Sequence, residues 1–273
     1  MKPIIVPVNF SEYAVNAARY AADLALAIRA ELYLVHVIQV PVASTEMPMA
    51  ESLYKEMVDS AELNLESLKA ELMKRTIQRV PVRCILKVGS VSGKIKDLCQ
   101  ELGPYAVVLG AAGTTLEKFL ASSPAASLLH SLHYPVLVVP ETGVFHHFRR
   151  ILLACEPKDI GAGIPYSLPL LKDMRRCFGS RIDILTIETE ATANEEPAVY
   201  PSEVWKGAFG EFHPELHYVR AARIEEGILQ FLGHHEADLV MVFPKRHRLF
   251  EFHVSQSRKL TKRSPIPVMS IHA

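Results

Sequence analysis

What most limits the fold open to this chain is repetition: the order of apolar runs in its first half recurs in its second. Residues 4–9 (IIVPVN) have a counterpart in residues 151–156 (ILLACE), and 32–38 (LYLVHVI) in 182–187 (IDILTI). The third apolar runs are 82–88 and 216–221. Farther on, Ile95, Leu98 and Cys99 ahead of residues 105–110 (YAVVLG) parallel Ile228, Phe231 and Leu232 ahead of residues 238–243 (DLVMVF). Each half closes on a Pro-Val pair, Pro135 with Val136 and Pro267 with Val268. A repeat of this length points to a duplicated domain. At 273 residues the chain also exceeds the roughly 100 to 200 typical of one domain. Two domains are expected, residues 1–145 and 146–273, with the boundary falling within residues 141–149.

The runs are continuously apolar and separated by helix-length segments. Strands of that kind are buried on both faces and belong to parallel sheets covered by helices, so each half reads as an α/β unit. The first helix carries Ala14, Ala17, Ala18, Ala21, Ala25 and Ile28 on one face, with Ser11 placed to cap its N-terminus. The halves diverge between their second and third strands. There the first has a long helical stretch, residues 49–74, and the second a shorter Pro- and Glu-containing segment, residues 190–211.

Composition narrows the function classes. Hydrophobic residues make up 49% and charged residues 22%, the balance of an ordinary globular protein. Thirty basic residues offset thirty acidic ones, which leaves no overall field to draw the chain to nucleic acid or to an acidic membrane. The N-terminal apolar run is broken by Pro7 and closed by Asn9, too short for a signal-peptide core or a membrane span, so a cytoplasmic protein is expected. Cys84, Cys99, Cys155 and Cys177 form no Cys-x-x-Cys pair and read as buried free thiols. The paired histidines His146-His147 and His234-His235, and His247 with His253, lack zinc-motif spacing and read as ordinary loop imidazoles, so no metal is expected. The chain has no Gly-x-x-x-x-Gly-Lys-Ser/Thr loop, no Gly-x-Ser-x-Gly elbow and no His-Glu-x-x-His helix. No general base stands out, and a binding or regulatory protein is expected in place of an enzyme.

In an open parallel sheet, ligands bind beyond the carboxyl ends of the strands where the strand order reverses. That rule selects Val8, Asn9 and Phe10 after the first strand, Val37 on the second, and the turn Gly110-Ala111-Ala112-Gly113-Thr114 after the fourth. Glycines there let main-chain N–H groups approach a phosphate. Downstream, Ser123 is a natural N-cap and Pro124 a natural first helical residue, and a helix N-terminus attracts anions.

Taken together, Val8-Asn9-Phe10-Ser11, the Gly110-x-x-Gly113 turn, Ser122-Ser123 and residues 135–139 (PVLVV) resemble the universal stress protein family in its tandem form. The likeness covers both halves. It implies two tandem Rossmann-like open parallel five-stranded sheets with helices on both faces, a stress-response role, and binding of ATP or AMP. Carried over residue by residue, it places Asn9 at the family's Asp position and Val37 at the adenine-side backbone. Gly110, Ala111, Gly113 and Thr114 fall in its Gly-x-x-Gly-x9-Gly-Ser/Thr loop, and Ser122-Ser123 at the closing Gly-Ser. The chain departs from the pattern at four points. Asn9 is neutral, eight residues (114–121) separate Gly113 from Ser122, Ser122 replaces the closing Gly, and Pro124 supplies no N–H.

A lost hydrogen bond to a charged group costs roughly 1.5 to 3 kcal/mol, so weak nucleotide binding, confined to the N-terminal domain, is expected, with at most slow incidental ATP hydrolysis. In the second half Phe243 is followed by Pro244-Lys245-Arg246-His247-Arg248, which lacks the glycine loop, and Glu156 takes the first-strand acid position. Those basic residues read as a solvated loop or as a docking point for a partner. The other reading is a scaffold that has lost its nucleotide and acts through protein partners. The resemblance further implies that residues 136–139 and 268–271 pair within the chain as an intrachain pseudo-dimer, leaving open whether two chains form a homodimer.

Overall fold

A computed structural model describes residues 2–39, 51–111, 132–155, 164–189, 202–243 and 266–271. These fall into two compact units, the first ending at Phe145 and the second starting at His146.

The first unit runs β1 (Lys2–Pro7), α1 (Glu12–Ile28), β2 (Ala30–Ile38), α2 (Glu51–Arg75), β3 (Val82–Val88), α3 (Val91–Leu102), β4 (Ala106–Ala111) and β5 (Val136–Pro140). Its strands are parallel in the order β3-β2-β1-β4-β5. The second unit runs β6 (Arg150–Ala154), α4 (Ile164–Phe178), β7 (Arg181–Glu188), α5 (Ser202–Phe209), a 3-10 turn at Gly210–Phe212, β8 (Glu215–Arg220), α6 (Ile224–Leu232), β9 (Leu239–Val242) and β10 (Val268–Ser270). Its order, β8-β7-β6-β9-β10, is the same one repeated.

The central strands have no solvent face. Successive residues Ile4, Ile5 and Val6 of β1 are all fully buried, as are Val107 and Val108 of β4, so both faces of that sheet are covered. Ile151, Leu152 and Leu153 of β6 and Leu239, Val240 and Met241 of β9 repeat the pattern. No helix among the described residues is long and apolar enough to cross a membrane.

Helix α1 packs its alanine face on β1, β4 and β5. Small side chains let its backbone come close to the sheet, and Ala14, Ala17, Ala18, Ala21, Ala25 and Ile28 are all buried. Ser11 holds the N-cap position, but its side chain makes no cap hydrogen bond, because its hydroxyl is turned back to Asn9. Asn16 straps the end of the unit over α1, its amide donating to Gly143 O at 2.9 Å and Pro140 O at 3.3 Å. Tyr20 meets Phe145 edge to face at 5.3 Å.

One segment is filled in and two further local expectations are corrected. Within residues 190–211 the second unit forms α5, where the amphipathic run around the buried Trp205 and Phe209 closes the core. The third strand of that half spans Glu215–Arg220, one residue earlier than the apolar run suggested. Of the four free cysteines only Cys99 and Cys155 are buried; Cys84 is half-buried on β3 and Cys177 is exposed near the end of α4.

Candidate functional site

The strand order reverses between β1 and β4, so the crevice expected to take a ligand lies past their carboxyl ends. On β1 and β4, Ile4 pairs with Ala106 and Ile5 with Val107, and continuing that register brings Val8 level with Gly110. Val8 is buried, and its N–H donates to Val35 O at 2.8 Å, the last rung of the β1–β2 ladder. Its carbonyl meets His36 Nδ1 at 2.7 Å. A carbonyl only accepts, so Nδ1 carries the hydrogen.

Val37 follows from this geometry. In a parallel strand, alternate residues direct both main-chain groups to one neighbour. Leu32 N donates to Pro81 O and Ile38 O accepts from Gly89 N, so the even residues of β2 serve β3. The odd residues serve β1. Val37 lies past the last rung to β1, and its N–H and C=O therefore face the crevice.

Asn9 is exposed at the mouth of this crevice. Its Oδ1 accepts from Ser11 N at 3.2 Å and from the Ser11 hydroxyl at 2.6 Å, and its Nδ2 donates to the Tyr13 hydroxyl at 3.3 Å. Hydrogen bonding to Ser11 and then Asn9 pulls the Tyr13 hydroxyl below its ordinary pKa of 10.0. Between Asn9 and Ser11, Phe10 adopts a left-handed backbone with φ of 62°, which is costly for a bulky residue. The conformation stacks its ring on the His36 imidazole, with centroids 4.7 Å apart. No sequence motif marks His36; its role emerges only once β1 and β2 are side by side.

Gly110 answers to packing. A Cβ there would lie 2.2 Å from Tyr13 O, so the absent side chain is what lets the first turn of α1 reach β4. Ala111, next to it, is buried. The structure thus gathers Val8, Asn9, Val37, Gly110 and Ala111 at one end of the first sheet. Gly113, Thr114, Ser122, Ser123 and Pro124 lie outside the described residues, as do Glu156 and residues 244–248.

The second unit repeats part of this construction. Cys155 N donates to Leu185 O at 3.1 Å, as Val8 N does to Val35 O, and the Thr186 hydroxyl donates to Cys155 O at 3.3 Å, as His36 does to Val8 O. Leu152 pairs with Val240, which makes Phe243 the counterpart of Gly110. Phe243 is buried, so an aromatic side chain fills the position that the first unit leaves empty for α1.

Comparison with known proteins agrees with this architecture. A universal stress protein of Methanocaldococcus jannaschii is 27% identical over 140 residues, covering 50% of this chain and 81% of that protein. A universal stress protein structure from Archaeoglobus fulgidus covers 99% of this chain and 98% of its own at 18% identity, with a TM-score of 0.74. A universal stress protein structure from Pseudomonas aeruginosa, described as putative, covers 100% and 93% at 13% identity and a TM-score of 0.56. The full-length structural likeness accounts for both units as one known tandem fold. With the Universal stress protein family model matching residues 1–140, the chain belongs to the universal stress protein family.

Proposed function

We propose that this chain is a stress-response regulatory protein whose first unit binds an adenine nucleotide, ATP or AMP, in the crevice between β1 and β4, without rapid turnover. The observation that carries the reading is the placement of Val37. Its main-chain donor and acceptor face the switch point beyond the end of β1, where the edge of an adenine ring can bond to both. Asn9 stands beside it with one amide hydrogen left over for a ribose hydroxyl, since its other hydrogen goes to Tyr13 and its oxygen is filled by Ser11.

A second reading is favoured by those same bonds. Asn9 is engaged by Ser11 and Tyr13, and Gly110 is accounted for by α1, so two ligand-assigned residues already have structural work. On that reading the chain keeps the family fold and acts through protein contacts.

Calorimetric titration with ATP and AMP separates the two. The nucleotide reading expects weak saturable binding, tightened roughly tenfold by Asn9→Asp, which restores a charged ribose acceptor while still accepting both bonds from Ser11. Absence of heat at millimolar nucleotide in both proteins would establish the scaffold reading. Steady-state ATP hydrolysis at ordinary enzymatic rates would overturn the non-enzymatic part of the proposal.

A further inference from the structure

Away from the crevice, the second unit gathers metal-ligating side chains on one face of its sheet. Asp183 of β7 stands opposite Glu215 of β8, and Leu185 stands opposite His217. Residues two apart on a strand share a face, so Asp183, Glu215 and His217 project to the same side. This is the side α6 covers, because Leu185 and Ile187 pack there with Ile228 and Phe231. A Cβ on Gly227 would come within 2.8 Å of the Ile187 side chain, a measure of how closely the helix approaches. One ligand atom from each of Asp183, Glu215 and His217 lies within 4.8 Å of the other two.

The environment of these groups is unusual for a plain surface. Like charges directly opposite on neighbouring strands repel. Neither carboxylate has a hydrogen bond among the described residues, and the Asp183 charge is opposed by burial first and by Glu215, against attraction from His217 and Arg150. Arg150, the nearby cation, pairs instead with Glu236 at 3.7 Å. His217 is positioned by ring contacts, 4.8 Å from Phe231 and 5.4 Å from His235 between centroids. His235 lies flat on Phe231, and its Nδ1 bonds to the Phe231 carbonyl at 3.2 Å.

We propose that Asp183, Glu215 and His217 form a binding site for a divalent ion of the zinc class. One imidazole with two carboxylates is a three-protein-ligand set that suits zinc and its transition-metal neighbours, whereas magnesium and calcium take six or more oxygens. Ligand atoms on a tetrahedral zinc are roughly 3.4 Å apart when the bonds are roughly 2.1 Å, so the three groups need to draw together by little more than roughly 1 Å. The ion removes the repulsion between the carboxylates and ties β8, the edge strand of its sheet, to β7. Occupancy then becomes stability of the second unit, independently of any nucleotide in the first.

Full-length protein without a histidine tag, titrated with zinc chloride by calorimetry and followed by thermal unfolding, tests the site. The expected result is one zinc ion per chain at micromolar affinity, weakened roughly tenfold or more by His217→Ala and by Asp183→Asn. Zinc should raise the unfolding midpoint of the natural protein but not of the variants. Replacing both His146 and His147 with alanine should change none of this, and magnesium should give no saturable heat. Should His217→Ala fail to fold, the isosteric Asp183→Asn still decides. No saturable zinc binding, binding that survives Asp183→Asn unchanged, loss on replacing His146 and His147, or magnesium binding equal to zinc would each overturn the proposal.

Discussion

A methyl group added at Gly110 would lie 2.2 Å from the Tyr13 carbonyl oxygen and 2.6 Å from its carbon. Both are main-chain atoms of α1, so relief requires moving the helix off the sheet. Gly110→Ala should therefore destabilise the protein by about 3 kcal/mol, seen as a lower urea midpoint, whether or not nucleotide binds. A loss of binding in that variant reports on packing, which makes Asn9 the sounder probe of the crevice. The cysteines offer a second residue-scale test. Burial pushes the Cys99 thiol up to about 12 from an ordinary 9.0, and the Cys84 thiol up to about 11. In the native protein at pH 8 a thiol reagent should label the exposed Cys177 and leave Cys99 untouched until denaturant is added. The sign of the pH effect follows. Folding holds the Cys99 proton while the unfolded chain releases it above pH 9. Cys99 is neutral toward stability below that value and opposes folding above it, by ~1.4 kcal/mol per pH unit up to about 12. Denaturation curves from pH 8 to 11 should show the decline, and Cys99→Ala should make it shallower, the remainder coming from Cys84.

At the scale of elements, the two helix starts in the first unit contrast. Ser90 caps α3 by accepting from Gly93 N at 3.3 Å, while Ser11, in the same position at α1, turns its hydroxyl to Asn9. Ser90→Ala should cost about 1 kcal/mol, measurable by chemical denaturation. The sequence pattern marks Ser11 as a cap, and the neighbouring Asn9 side chain is what diverts its hydroxyl. Helix α2 is attached by a narrow stripe of Ala61, Leu65, Leu68 and Leu72, and its outer face is solvated. Arg19 with Glu71 and Arg75 with Asp23 link it to α1, but exposed pairs of this kind contribute at most about 1 kcal/mol each. The leucines supply most of that attachment.

On the scale of the whole molecule, two units share one strand order, and each has its own buried core of central strands and covering helices. Residues 1–145 expressed alone should therefore give a helical and sheet circular dichroism signal and a single cooperative urea transition. A broad transition would mean that the first core is incomplete without the second unit. The duplication extends to detail: Cys155 and Thr186 repeat the hydrogen bonds of Val8 and His36, although the residue types differ. The second unit has kept the backbone end of the site and exchanged the glycine position for Phe243.

Periodicity and repetition in the sequence were enough to determine the α/β class, the duplicated strand pattern and the residues at the carboxyl ends of β1, β2 and β4. Those features depend on local burial, which one chain segment reveals by itself. Side-chain partnerships across the sheet were decided only by tertiary structure. The sequence shows Gly110 as a candidate phosphate turn, but the approach of Tyr13 decides why it lacks a side chain. It shows His36 and Thr186 as unrelated polar residues, and strand register makes them equivalent. Asp183, Glu215 and His217 carry no spacing motif, because two residues on one strand and one on another become neighbours through pairing, not through distance along the chain.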